Sequence, residues 1–335
     1  MKIIHNTSNK KLLDTLPKRL AAIAVLVAVV IYLPKSGLLS PYIVRILTMI
    51  SLYSMLALSL NLLTGYTGLV SIGHAGFCAV GGYTSALLWQ YFGLPWLFTA
   101  FCGMIMAGIV GLMLAAPTSR LSGSYLTIAT LGFGEIVKMV ALNWQSLTGG
   151  PLGVNHIERP EFFGITLSTF NGGFFYLSIV LTALVTLFVY RVVNSKMGRA
   201  FMAIRDDSLA ATLMGVNVVA YKMKSFVISA AIAGLGGAFY VHFVRFLDPN
   251  TFNFDISIII ISIVILGGTG SIGGSFLGAA LLISFPEILR FASEYRFIIY
   301  GLVLVLMMRF KPEGILGGHS NKPFKLMKGV QIDGK

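Results

Sequence analysis

Within the apolar stretches of this chain, few side chains can do chemistry. Glu135 and Lys138 lie three apart, a spacing that puts both on one side of a helix. Ionisable groups in hydrocarbon are costly and mark candidate sites. Two readings stay open for this pair. The charges neutralise each other, with the lysine reaching towards an interface, or Glu135 borders the path of a polar solute. Thr130 and Phe133 belong to the same stretch. His74 stands near Asn61, Thr67 and Ser71. Its imidazole is either a hydrogen-bonded structural group or a solute contact or proton relay. A second group of residues is of another kind. Positions 198–215 form a charged island in greasy surroundings. Asp206 and Asp207 are expected at the start of a short helix, whose positive end favours carboxylates. Gly215 stands where that helix would stop. Leu209 and Leu213, and Ala210 and Met214, are four apart and share a face, with Ala211 between them. Arg199 and Arg205 supply charge at the other end. Such a helix is a handle for something outside a bilayer to grip.

These residues need an apolar scaffold to position them. Hydrophobic residues make up 56% of the 335, charged residues only 11%, and mean hydropathy is +0.85. That is too little charge to cover a soluble surface. Apolar stretches of roughly 20 residues recur, the length that crosses a bilayer of about 30 Å. The pattern predicts an all-α polytopic membrane protein with spans at about 20–33, 41–63, 69–92, 95–117, 124–146, 174–191, 223–244, 255–268, 272–289 and 296–310. Ten spans put both termini on one side. Most of the 25 lysines and arginines then fall on that side, which the positive-inside rule makes cytoplasmic. Trp89, Trp96 and Trp144 fall near outer ends, where indoles prefer to sit. The predicted organisation is a cytoplasmic segment 1–19, one membrane domain 20–310 with a cytoplasmic loop at about 194–222, and a basic cytoplasmic tail 311–335. The first apolar run, with no small-residue cleavage site after it, reads as a retained span. The glycine-rich link at 267–274 also fits a broken or re-entrant helix.

Other classes are excluded or left without support. The net charge of +13 collects at the ends of apolar runs, so it marks topology and membrane lipid rather than nucleic acid. Cys78 and Cys102 lie in apolar runs and read as small hydrophobes, and no metal-ligand spacing is visible. A Gly-x-x-x-x-Gly-Lys-[Ser/Thr] phosphate loop is missing, so any ATP energy has to come from a partner. Small residues recur every four positions, as in Gly103, Ala107, Gly111 and Ala115, in Ala230, Gly234 and Ala238, and in Gly270, Gly274 and Gly278. Such rows let membrane helices approach closely. Gly65-Tyr66-Thr67-Gly68 with Ser71-Ile72-Gly73 is echoed by residues 267–273. The loop at about 147–173 is the longest outer segment, either a plain connection or a contact for an outside partner.

Three stretches together resemble a known family. They are residues 59–77 (SLNLLTGYTGLVSIGHAGF), residues 123–135 (GSYLTIATLGFGE) with 147–153 (LTGGPLG), and the island continuing through residues 227–234 (VISAAIAG). The chain resembles the membrane permease subunits of ABC importers for branched-chain amino acids over roughly 40–318. It departs where Gly76 replaces the usual second alanine and where the glycine pair runs into Pro151. The resemblance implies a type II ABC importer permease fold and a place in a bacterial inner membrane. It implies a second related permease, two cytoplasmic ATPases that bind ATP and magnesium, and an extracytoplasmic binding protein. It makes the island, through Arg199, Arg205, Asp206, Asp207, Leu209, Ala210, Ala211, Leu213, Met214 and Gly215, the loop that docks on the ATPase. No cofactor is expected in this chain. A path lined by small and apolar residues with Asn61, Thr67, Ser71, His74, Thr130, Phe133 and Glu135 is expected. Urea or short-amide permeases look similar at this level, and a stand-alone transporter or channel is the contrasting class.

Overall fold

The computed structural model describes residues 40–119, 121, 123–162, 165–167, 172–288, 301, 305, 309 and 314–317. Helix α1 (Pro41–Asn61) starts where Ser40 caps it and Pro41 fits its first turn, since a proline there gives up no hydrogen bond. A π-helical turn (Leu62–Tyr66) extends it. After it come α2 (His74–Phe92), α3 (Trp96–Thr118) and α4 (Ser124–Asn143). A short α5 (Gln145–Thr148) leads into three strands, β1 (Val154–Asn155), β2 (Glu161–Phe162) and β3 (Ile165–Thr166). Then follow α6 (Gly173–Val193), α7 (Lys196–Asp206), α8 (Ser208–Leu213) and α9 (Val218–Val244). The chain continues through β4 (Phe246–Leu247), α10 (Phe254–Gly267) and α11 (Ile272–Ile288).

Five described segments are long and apolar enough to cross a membrane: Pro41–Tyr66, Trp96–Thr118, Ser124–Asn143, Gly173–Val193 and Val218–Val244. Helices α10 and α11 are apolar but shorter. These bounds fall within a few residues of the predicted spans. The spans expected at 20–33 and 296–310, and the terminal segments 1–19 and 311–335 apart from 314–317, lie outside the described residues.

The small-residue rows explain the packing. Helices α2, α3 and α9 form a tight trio. A methyl group added at Gly234 would strike Ala107, and one at Gly111 would strike Ala230. Gly81 on α2 lies against Gly234, and Gly237 lies against the Cys78 carbonyl. In lipid no hydrophobic drive separates helix from tail, so close backbone contact supplies the attraction. Helix α1 packs on α11, α6 and α9. Two serines join α1 to α9 reciprocally. Ser59 Oγ donates to the Ser229 carbonyl at 2.6 Å, and Ser229 Oγ donates to the Ser59 carbonyl at 2.7 Å.

One predicted span begins later than expected. Residues 67–73 are not helical, and α2 starts at His74. This segment climbs along α4 from the end of the bundle that carries the island. Thr127 Oγ1 donates to the Val70 carbonyl at 3.3 Å, and the Ile72 N–H donates to Thr130 Oγ1 at 3.1 Å. A side chain at Gly73 would strike the Thr130 carbonyl, so the close approach requires glycine there. Helix α2 therefore begins about 10–15 Å inside the bundle, from the rise of about 1.5 Å per residue along α4. Its first turn meets the first turn of α10, where the Ala75 N–H donates to Ser257 Oγ at 3.0 Å.

At the opposite end the long loop is built rather than loose. Strand β1 pairs antiparallel with β4, Val154 opposite Leu247, and β2 pairs with β3. His242 Nδ1–H donates to the Glu158 carbonyl at 2.9 Å, and Arg245 Nε–H donates to the Ile157 carbonyl at 3.1 Å. Trp144 is half exposed, while Trp96 is buried. Trp96 starts α3 and lines a pocket with Trp89, His242 and loop residues Glu158–Glu161, so it lies near a helix end but covered rather than exposed. Cys78 is buried and Cys102 half-buried, both as free thiols.

Candidate functional site

The island is two helices, not one. Ser195 caps α7 by accepting from the Met197 N–H at 3.1 Å. Asp206 ends α7, and Asp207, in extended conformation, separates it from α8. This corrects the placing of both carboxylates at a helix start. Only Asp207 caps, its Oδ1 accepting from Leu209 N–H at 2.8 Å and Ala210 N–H at 3.0 Å. Helix α8 stops at Gly215, which has φ +83°. There the Val216 N–H bonds the Ala211 carbonyl and the Gly215 N–H bonds the Thr212 carbonyl, a closure that a left-handed glycine permits.

The inner face of the island fixes it to the bundle. Gly198, Ala200, Phe201 and Ile204 are buried, and Phe201 meets Tyr221 of α9 edge-on at 6.2 Å. Arg205 points inward. Its Nη1 donates to the Gly65 carbonyl at 3.0 Å, while Nε and Nη2 donate to Asp206 Oδ1 at 3.2 and 3.1 Å. Gly68, at φ +76°, leaves room for this side chain. One guanidinium therefore ties the island to the π-helical turn of α1. Ala211 is also buried, at 4% exposure, and so belongs to the support rather than the outer face.

The outer face is apolar. Leu209, Leu213 and Met214 are 70%, 81% and 84% exposed, with Ala210, Ser208 and Thr212 beside them and Arg199 exposed on α7. Covering three such side chains is worth about 1.5–3 kcal/mol each. The result is a capped helix with an exposed apolar face.

The polar residues inside the bundle divide into two sets. Asn61 is fully used within the chain. Its Nδ2 donates to the Ser271 carbonyl at 2.9 Å and to Ser275 Oγ at 3.0 Å, and its Oδ1 accepts from the Gly270 N–H at 2.7 Å. It ties the end of α1 to the second echoed segment, 267–273, and to the start of α11. Thr67 Oγ1 closes the π turn on the Leu62 carbonyl at 3.1 Å, and Thr130 Oγ1 bonds the Thr127 carbonyl at 2.9 Å. His74 is buried, with Nε2 2.8 Å from Ser59 Oγ. Its Nδ1 and the Ser71 hydroxyl have no hydrogen-bond partner among the described residues. Phe133 stacks at a tilt on Phe77, centroids 4.9 Å apart. Glu135 lines a small cavity with Ile72, Ala75, Leu131, Phe252 and Ser257. The pairing of Glu135 with Lys138 does not form, since the one ion pair among the described residues joins Arg205 to Asp206. Ser59, Ser229 and Ser257 escaped the sequence reading. Their signal was a small hydroxyl inside an apolar run, the kind that hydrogen-bonds across membrane helices.

Known proteins resemble most of the chain. The chain is 37% identical over 315 residues to the high-affinity branched-chain amino acid transport system permease protein LivM of Salmonella typhimurium, covering 87% of this chain and 73% of that one. The LivM of Escherichia coli is 37% identical over 326 residues, covering 90% and 76%. The Escherichia coli permease LivH is 26% identical over 298 residues, covering 81% and 92%. No solved structure matches. Residues 42–308 match the family described as branched-chain amino acid transport system, permease component. With the spans and this match together, the chain belongs to the permease-component family of branched-chain amino acid transport systems, a family of multi-pass inner-membrane proteins.

Proposed function

We propose that this chain is a transport subunit of an ATP-driven importer that moves branched-chain amino acids by alternating access. The relatives LivM and LivH carry that substrate in their names, which supports leucine, isoleucine and valine as cargo. The observation that carries the ATP-driven part is the exposed apolar face of Leu209, Leu213 and Met214 on a helix held rigidly by Arg205. A carrier working alone has no use for such a handle. In this reading two ATPase subunits in the cytoplasm hold ATP and magnesium and grip the island. A second, related permease completes the membrane unit, and a binding protein outside delivers the amino acid. The fold has about ten spans in a type II importer arrangement, with both termini cytoplasmic, as the placing of the basic residues supports.

The test is uptake by the full complex in liposomes. ATP-dependent leucine entry that excess isoleucine and valine suppress, and urea or acetamide does not, is the expected result. Competition by urea or short amides would move the substrate to that class. Leucine entry through this chain alone would replace the importer with an autonomous carrier.

A further inference from the structure

Glu135 sits midway along α4, the least covered of the five long spans. It has no hydrogen-bond or ion-pair partner among the described residues. A charge left in lipid at that depth costs roughly 3 kcal/mol or more, so this face of α4 looks onto protein or onto a water-filled path. The cavity beside Glu135 is lined by this carboxylate, a serine, an asparagine and apolar side chains. The first turns of α2 and α10 meet there, both with their positive ends inward. Ser257, 2% exposed, accepts from the Ala75 N–H at 3.0 Å. Its own proton has no acceptor among the described residues, so it is free to donate to a carboxylate. Ile72, Leu131 and Phe252 supply apolar wall.

We propose that this cavity is a weak way station for an aliphatic amino acid. Glu135 receives the ammonium group. Ser257 and the joined helix starts receive the carboxylate, as broken helices do in other membrane carriers. The apolar wall receives the side chain. The assignment rests on the amino-acid permease reading above and extends it to named groups. At about 10 Å³ the cavity holds roughly one water and is too small for an amino acid as described, so it has to open to admit one. Opening requires α4 and α10 to part. A site that closes on water alone does not trap its cargo.

The experiment uses the full complex in liposomes with radiolabelled leucine. Glu135→Gln is expected to lower uptake about tenfold with all subunits still co-purifying, and Glu135→Asp to keep at least half of the wild-type rate. Ser257→Ala is expected to raise the apparent KM for the delivered amino acid about fivefold. Uptake by Glu135→Gln within twofold of wild type overturns the assignment. So does loss of the second permease from the purified Glu135→Gln complex, which would place the carboxylate in a subunit contact. If the wild-type complex takes up no branched-chain amino acid, the permease reading fails and this site falls with it. If the wild type is active and Glu135→Gln matches it, only the site fails.

Discussion

Two adjacent alanines separate docking from folding. Ala210 is exposed on α8 and Ala211 is buried beneath it. Ala210→Glu is therefore expected to weaken association with the ATPase subunits while the thermal midpoint in detergent stays put. Ala211→Glu buries a charge without a partner and is expected to lower that midpoint markedly. Equal effects of the two on association, with stability unchanged, would remove the orientation assigned to α8. Asp207 works through geometry. Its replacement by alanine leaves two N–H groups uncapped and costs about 1 kcal/mol of helix stability, read as weaker co-purification with the ATPases. Arg205 reaches beyond the island, joining it to a carbonyl 140 residues away. Arg205→Ala is expected to uncouple the complex. ATP hydrolysis should persist while leucine uptake falls at least fivefold, and parallel measurement of both rates checks it.

At the scale of elements, broken helices and glycine faces have separate tasks. The trio α2, α3 and α9 has backbones so close that a single methyl group has no place. Gly234→Ala sets a new carbon against Ala107, and overpacking of this kind costs about 1–3 kcal/mol. Thermal unfolding of the purified chain should show the loss, whereas Gly132→Ala, which meets nothing within 4 Å, should not. The echoed segments 65–73 and 267–273 meet where Gly65 lies against Gly270, and Asn61, just before the first segment, bonds to the second. Two of its three hydrogen bonds go to backbone groups of the turn between α10 and α11, the Gly270 N–H and the Ser271 carbonyl, which would otherwise be stray polar backbone inside the bundle. The echo in sequence was short and biased to glycine. Its meaning lies in the contact, which no local pattern displays.

At the scale of the whole molecule, the sequence alone determined the class, the approximate spans among the described residues, and the Asp207 cap and Gly215 stop of the island. Those properties are local. A run of about 20 apolar residues partitions into lipid whatever its neighbours do, and Asp207 or Gly215 acts on the turn beside it. The island was legible for the same reason, as charge and helix signals within 18 residues. Only the tertiary structure decided which of its side chains face out. It decided that Asp206 serves Arg205 rather than a helix start, and that Asn61 clamps a segment 209 residues away. It decided also that Glu135 lies beside Ser257 rather than paired with Lys138. These outcomes depend on which helices pack together, and that is set by small-residue contacts between distant parts of the chain. A residue's type says what it can bond, but only the packing says what lies within reach.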